Sequence, residues 1–458
     1  MKKISLDVLF LLILVIARVR IDTLVDALVA PRPFEKIQSL PIFGSLLPPE
    51  RLRLMKDWMT DPYSLLLITF TFGLLAAYVV LDEILSQVRK PTGGSAYTFK
   101  LALIFAIVLT TVFAQSFYLI LMRHATGPAS YTHDGGVIQT EEAIKFFLVG
   151  KNPYVEDYTN TPMAEWGLDY RTALYHYPYL PWTFLFSAPF YMLGQAVLGW
   201  YDQRFIYLAL FLITLFLASR LSKEGTASLC LSMILGLNPI MGNDIIYGQN
   251  DSFVLFWIVL AVYLLQRRRV ALSSAALGLA CASKPTAWLL APFYFLYLFH
   301  LWQQERERPF SAAFWKHFLP GVAVFGIIVL PFALWNLDAM VDDIWRWSAG
   351  TADVPYQIRG WGLANLILAL GLVESRLSYF PFWIFELFLA GPFLLFLLWR
   401  QSRANTMGTA LQGYAAFSLV FFYLSRFLNE NYLGYILACF AVGYFIEHDM
   451  KQEVEETH

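Results

Sequence analysis

Long unbroken apolar runs separated by short polar stretches set the pattern of this chain. Twelve runs, near 4–28, 63–86, 99–122, 204–220, 226–243, 251–266, 270–283, 286–303, 314–335, 379–398, 407–425 and 431–447, predict helices that cross a bilayer. A hydrocarbon core about 30 Å thick takes roughly 20 apolar residues per helix. The runs are continuous rather than alternating, which selects helices over barrel strands, since lipid tolerates only structures whose backbone groups are internally paired. The expected fold is an all-α polytopic membrane protein with about twelve transmembrane helices.

Two more apolar stretches, 179–199 and 357–377 around Arg359-Gly360-Trp361-Gly362, spoil a simple count. If either crossed fully, the basic loops downstream would change sides, so both are read as interfacial or half-inserted. The organisation expected is an N-terminal transmembrane extension over 1–98, a main membrane body over 99–447 with a large external loop at 123–203, and a tail over 448–458.

Composition agrees with the pattern. Hydrophobic residues make up 58%, aromatics 17% and charged residues 15% of the 458 residues, and mean hydropathy is +0.54, outside the range of water-soluble domains. Lys and Arg in short loops favour the cytoplasm. Met1-Lys2-Lys3, Arg89-Lys90, Arg220 with Lys223, Arg267-Arg268-Arg269, the 305–308 run, Arg400 with Arg403, and Lys451 fall on one side if both termini are cytoplasmic. The exception is 31–62, placed outside although it holds Arg32, Lys36, Arg51, Arg53 and Lys56. The first run, interrupted by Arg18, Arg20, Asp22 and Asp26, reads as a signal anchor, because no small-residue cleavage site follows it.

A net charge of −1 offers no basic face for nucleic acid. Cys230, Cys281 and Cys439 fall within apolar runs and read as packing residues, not as disulfides or zinc ligands.

With this topology the chemically rich segments gather on the non-cytoplasmic side. Tyr131-Thr132-His133-Asp134-Gly135-Gly136, Gly150-Lys151-Asn152-Pro153-Tyr154 and Tyr175-His176-Tyr177-Pro178-Tyr179-Leu180-Pro181 lie in the large loop. Asp134 is either an ordinary Asp-Gly turn or the cap of a helix over 137–149, or it is an acid whose glycine neighbours let a ligand approach. Lys284 sits in Ser283-Lys284-Pro285-Thr286, between runs too short for two full crossings, so its ammonium turns below the membrane surface. There it either snorkels or holds an anion. Gln249-Asn250-Asp251 either cap a helix or bind sugar hydroxyls, and Arg426 with Glu430 either close a tight turn as an ion pair or flank a donor pocket. Trp345, Trp347 and Trp361 suit interfacial anchoring or packing under a sugar ring.

The arrangement over roughly 99–447 resembles the C-type, polytopic glycosyltransferases that use polyprenyl-phosphate sugars, in particular bacterial polyprenyl-phosphate-mannose-dependent α-mannosyltransferases. The likeness rests on His133-Asp134-Gly135, Gly150-Lys151-Asn152-Pro153-Tyr154, Tyr177-Pro178-Tyr179-Leu180, Asn238-Pro239 followed by Gly248-Gln249-Asn250-Asp251, and Ala275-Ala276-Leu277-Gly278-Leu279-Ala280 leading into Lys284-Pro285-Thr286. Where related enzymes carry His-Glu-Asn-Tyr, this chain has Asn429-Glu430-Asn431-Tyr432.

The resemblance implies an inverting transfer of a sugar, mannose above others, from the lipid phosphate to an acceptor hydroxyl outside the cytoplasm, at the plasma (inner) membrane. Asp134 would be the base; Lys284, Arg426 and Arg359 would hold the donor phosphate; His133, Tyr177, Gln249, Asn250, Asp251 and Glu430 would contact sugar or acceptor. The acceptor class stays open among glycolipid, polysaccharide and protein, and membrane lipids are further partners. Lys and Arg can supply the compensating charge, so no cofactor is expected, although the acids at 251 and 342–343 keep a divalent ion in play. The rival class is a lipid-linked-sugar transporter or flippase, against which stand the absence of an internal repeat and the crowding of polar residues on one side. An acyl- or phosphotransferase ranks last, for want of a Ser or Cys nucleophile motif or a phosphate loop.

Overall fold

The computed structural model describes residues 5–456 apart from 41–42, 47, 56, 58–59, 88–92, 167–170, 223–224, 305–311 and 313. The basic groups Lys2, Lys3, Lys56, Arg89, Lys90, Lys223 and the 305–308 run therefore lie outside the described residues.

Every apolar run becomes helix. The principal helices are α1 (Leu6–Leu28), α2 (Pro62–Gln87), α3 (Gly93–Val108), which runs through a π turn into α4 (Ala114–Thr126), α5 (Thr140–Leu148), α6 (Trp182–Leu198), α7 (Arg204–Ala218), α8 (Gly225–Gly236), α9 (Pro239–Tyr247), α10 (Asp251–Gln266), α11 (Val270–Cys281), α12 (Ala291–Gln304), α13 (Leu319–Trp335), α14 (Gly391–Arg403), α15 (Met407–Leu424) and α16 (Glu430–Glu456).

Fewer than twelve helices meet the length and apolarity of a crossing on their own among the described residues. Among the described residues five helical segments are long and apolar enough to cross: Pro62–Leu85, Ser95–Thr126, Trp315–Trp335, Phe382–Arg403 and Met407–Leu424. A sixth is added if the bent pair α8 and α9 is one span. Helices α7, α10 and α11 are apolar but shorter than a span, because Pro, Gly and polar residues cut their runs into pieces of 12–16 residues.

The expectation of pure helix needs one amendment. Arg359–Gly360 (β1) pairs in parallel with Phe427–Leu428 (β2), so the 357–377 stretch is a two-residue ladder followed by a short helix, Leu363–Ala369. The 179–199 stretch is α6, a single apolar helix with Pro189 inside.

The breaks between helices place the chemistry. Asn238 caps α9 by accepting from the Ile240 and Met241 N–H groups at 3.2 and 3.1 Å, with Pro239 in the first turn where its missing N–H costs nothing. The resulting bend between α8 and α9 is 47°. Gly248, at φ +91°, ends α9 in the left-handed region, where a Cβ would meet Val137 and Arg204. Gln249, Asn250 and Asp251 follow at once into α10.

The N-terminal extension is not a free appendage, for α1 packs against α8 and α9. Its charges are neutralised internally. Arg18 pairs with Asp22 and donates to the Pro239 carbonyl, while Arg32 pairs with Asp26 and, at 2.8 Å, with Asp61. A guanidinium so paired says little about sidedness, which removes Arg32 from the 31–62 exception.

Candidate functional site

The large loop is pinned before it reaches Asp134. Arg123 at the end of α4 grips Glu141 of α5 with two bonds of 2.9 and 2.8 Å and Asp202 with a third of 2.9 Å. Arg204, fully buried, donates to Asp202 at 2.8 and 2.7 Å and to the Tyr131 and Ile246 carbonyls at 2.9 and 3.1 Å. The chain between these anchors is forced back onto the α9–α10 turn. There the His133 N–H donates to the Tyr247 carbonyl at 2.8 Å, and Gly136 lies so close to the Gly248 carbonyl that no Cβ fits between them.

Asp134 thereby enters a buried π turn, Asp134–Gln139. Its Oδ1 is 2.8 Å from His133 Nδ1, an ion-pair distance, though the ring N–H is not aligned for a hydrogen bond. Burial works to raise the Asp134 carboxyl, but the His133 charge, the Gly135 backbone N–H and the Arg359 guanidinium outweigh it, and the group is held below its ordinary 3.8. An ionised carboxylate kept at hand in a buried loop is suited to take a proton.

Tyr179 connects this acid to the predicted cation. Its hydroxyl touches the position that a Cβ on Gly135 would fill, and its ring lies 5.7 Å from the Lys284 ammonium. Burial, with the Asp134 charge beside it, pushes the Tyr179 phenol well above its ordinary value, so the hydroxyl stays protonated. Tyr179 is set here by its neighbours: the Leu180 and Trp182 N–H groups donate to the Ser283 and Ala282 carbonyls at 3.0 Å each, laying 179–183 along the Lys284 turn. Beneath it, Tyr177 is buried among Tyr154, Tyr158 and Phe184 with ring separations of 5.7, 6.3 and 5.7 Å, a platform whose aromatic pairs add about 0.5–1.5 kcal/mol each beyond area burial.

Lys284 is buried at the start of a 3-10 turn, Pro285–Leu290. Its ammonium donates to Asp251 Oδ1 at 2.7 Å and Asn250 Oδ1 at 3.1 Å, and Asn431 donates to the other Asp251 oxygen. Two of three ammonium donors are thus used, and the Tyr432 ring lies 5.1 Å away on another side. Gln249 is half-buried beside Gly136.

The predicted residues therefore divide. Asp134, His133, Gln249, Asn250, Asp251 and Lys284 converge around Tyr179, and Arg359 reaches them electrostatically through Asp134. Arg359 is half-buried on β1 and makes no ion pair among the described residues. Arg426 does not join Lys284. It is buried, donates to the Tyr356, Ser378 and Arg376 carbonyls at 2.5, 3.0 and 3.3 Å, and is pushed down to about 10 by burial. It anchors the 356–378 segment. Glu430 is exposed at the start of α16 and makes no ion pair with Arg426 among the described residues. Tyr177 supports the site from below, its ring packed between Tyr154, Tyr158 and Phe184.

Three features went unread in the sequence. Tyr179 stood inside a quoted motif without a role; Asn431 pairs across 180 residues; and the Arg123–Glu141–Asp202–Arg204 network left a signal only in Asp202-Gln203-Arg204, a polar triplet at the mouth of an apolar run. His176, Asp342 and Asp343 bring three ligand atoms within 4.8 Å of one another and form the one group able to hold a metal among the described residues. Trp345 and Trp361 are exposed, as anchors would be, whereas Trp347 is buried against His176.

Comparison with known proteins bears on this geometry. Residues 148–300 match the family model described as alpha-(1->6)-mannopyranosyltransferase, N-terminal domain. That region includes Tyr179, Asn250, Asp251 and Lys284, and the match supports both the expected mannosyltransferase kinship and the enzyme class. No curated protein and no solved structure matches the chain.

Proposed function

We propose that this protein is a mannosyltransferase that moves a mannosyl group from a polyprenyl-phosphate carrier to an acceptor hydroxyl at the extracytoplasmic face of the plasma membrane, with inversion. One observation carries the reading: an ionised, buried Asp134 stands across a protonated Tyr179 from the Lys284 ammonium. An acid and a cation so disposed suit the two ends of one displacement.

Asp134 takes the acceptor proton as the acceptor oxygen bonds to the anomeric carbon. The bond from that carbon to the phosphate oxygen breaks on the opposite face, and the lipid phosphate leaves with the electron pair. A β-linked donor gives an α-linked product. The departing charge is met by the third Lys284 donor and by Arg359, the half-buried guanidinium without an ion-pair partner among the described residues. Asp251 and Asn250 aim the ammonium, and Asn431 aims Asp251. The full count of twelve crossings and the cytoplasmic placement of both termini belong to this proposal, since they put Asp134 and Lys284 on the carrier's outer side.

The test uses the full chain in membrane vesicles with labelled polyprenyl-phosphate-mannose. Mannosyl transfer is expected, and Asp134→Asn should slow it by about 10²–10⁴-fold, the range for loss of a general base. A folded Asp134→Asn protein with wild-type turnover removes the base, and donor flux across the vesicle without sugar transfer would replace the enzyme by a transporter.

A further inference from the structure

Beside the sugar site stands a second cluster arranged around a missing positive charge. His176 Nε2 is 3.0 Å from the Val354 carbonyl oxygen. A carbonyl only accepts, so Nε2 carries a ring proton, and Nδ1 offers its lone pair when the imidazole is neutral. That lone pair faces Asp343 Oδ1 at 3.0 Å and Asp342 Oδ2 at 3.5 Å. Nδ1 stands at hydrogen-bond distance from Asp343 Oδ1, so the positive charge between the ring and the two carboxylates is supplied either by a proton on Nδ1 or by a bound cation. A proton on Nδ1 would balance one carboxylate and leave the other. The cation nearest to them, Arg346, is already shared between Asp338 at 2.7 Å and Asp342 Oδ1 at 3.4 Å.

We propose that His176, Asp342 and Asp343 form a binding site for a divalent first-row transition ion of the zinc or manganese class. One imidazole nitrogen with carboxylate oxygens is a donor set that favours such ions over calcium, which takes oxygen alone. The surroundings are those of a ligand set. The Val354 carbonyl fixes the His176 tautomer from outside, and the Tyr177 N–H, 2.8 Å from Asp343 Oδ2, fixes the carboxylate. Asp342, 30% exposed, gives the ion a way in.

The site fastens two external segments that share no helix, the loop carrying His176 and the turn Asp342–Arg346. Its effect reaches the sugar site by packing. Trp347 lies 5.8 Å from His176 and 4.6 Å from Tyr356, and Tyr356 precedes Arg359 by three residues. An ion here would stiffen the packing behind Arg359, whose segment Arg426 already anchors, without touching substrate.

The experiment is metal binding, not catalysis, so its failure is distinct from failure of the transferase proposal. Full-length protein purified in detergent, stripped with chelator, is titrated with zinc chloride or manganese chloride, and bound metal and melting temperature are measured. One equivalent of either ion with a raised Tm is expected. Asp342→Asn, which alters a partly exposed group, and His176→Gln should each weaken binding by at least about tenfold. Equal uptake by wild type and both variants, or no uptake by a folded wild type at saturating metal, overturns the site and leaves a shared proton in its place.

Discussion

Two charged clusters lie on either side of the same loop and differ in how fully they are satisfied. In the Arg123–Glu141–Asp202–Arg204 network each carboxylate is met by guanidinium or backbone donors, and the groups are all buried. Around Asp134 the capacity is left incomplete: Lys284 keeps one donor, Arg359 keeps its charge without an ion pair among the described residues, and the Tyr179 hydroxyl faces the base of the glycine turn. The first cluster holds shape, and the second keeps the donors that the proposed transfer would use. Buried charge alone did not separate them; unspent hydrogen-bonding capacity did.

The difference can be broken most violently from the saturated side. Arg123→Met strands Glu141 and leaves Asp202 with one guanidinium, which should cost about 3–5 kcal/mol, the range for removing one partner of a buried pair. Thermal unfolding in detergent measures it, and a loss below about 1 kcal/mol would mean that water reaches the network. On the unsaturated side, Arg359→Gln should leave the melting temperature nearly unchanged while raising KM for the lipid donor by about 10–100-fold, the equivalent of a charge-assisted hydrogen bond worth about 1.5–3 kcal/mol. A large fall in stability with unchanged KM would move Arg359 into the structural class.

The smallest effect is in pH. Because Asp134 sits below 3.8 in the folded protein, its ionised form persists above that point and is lost only as pH falls through the depressed value. The acid limb of kcat/KM should therefore lie below 3.8. A limb near 6 that disappears in Asp134→Asn would show burial winning over His133 and Arg359.

Much of the helical frame was legible because apolar runs are a local signal. The bend was passed over: the run 226–243 reads as one helix, although Asn238-Pro239 caps and turns the chain there and Gly248 ends α9 in the left-handed region. Span number was less legible. Helix α10 has 16 residues and α11 has 12, and a run of either length reads the same whether it crosses or merely packs inside a bundle. The two-residue ladder of β1 and β2 left no trace, since four residues carry no period.

At the site, the glycines and acids of the 133–136 turn, the 249–251 turn and Lys284 were each visible as oddities in apolar surroundings. What the letters did not reveal was pairing. Lys284 meets Asp251 from 33 residues away, and Arg426 gives its donors to carbonyls, groups that every residue possesses and that no pattern marks.

The contact between Gly136 and the Gly248 carbonyl has a bearing on how such a protein changes its preferences. Any larger residue at the root of the loop pushes apart the acid and the cation before it reshapes a pocket. If the proposed transfer holds, changes in acceptor choice are expected farther out, in the stretch from 149 to 166 with its prolines and its exposed Lys151, Val155 and Asn160. A library meant to redirect the enzyme to a new acceptor should vary that rim and leave the root alone.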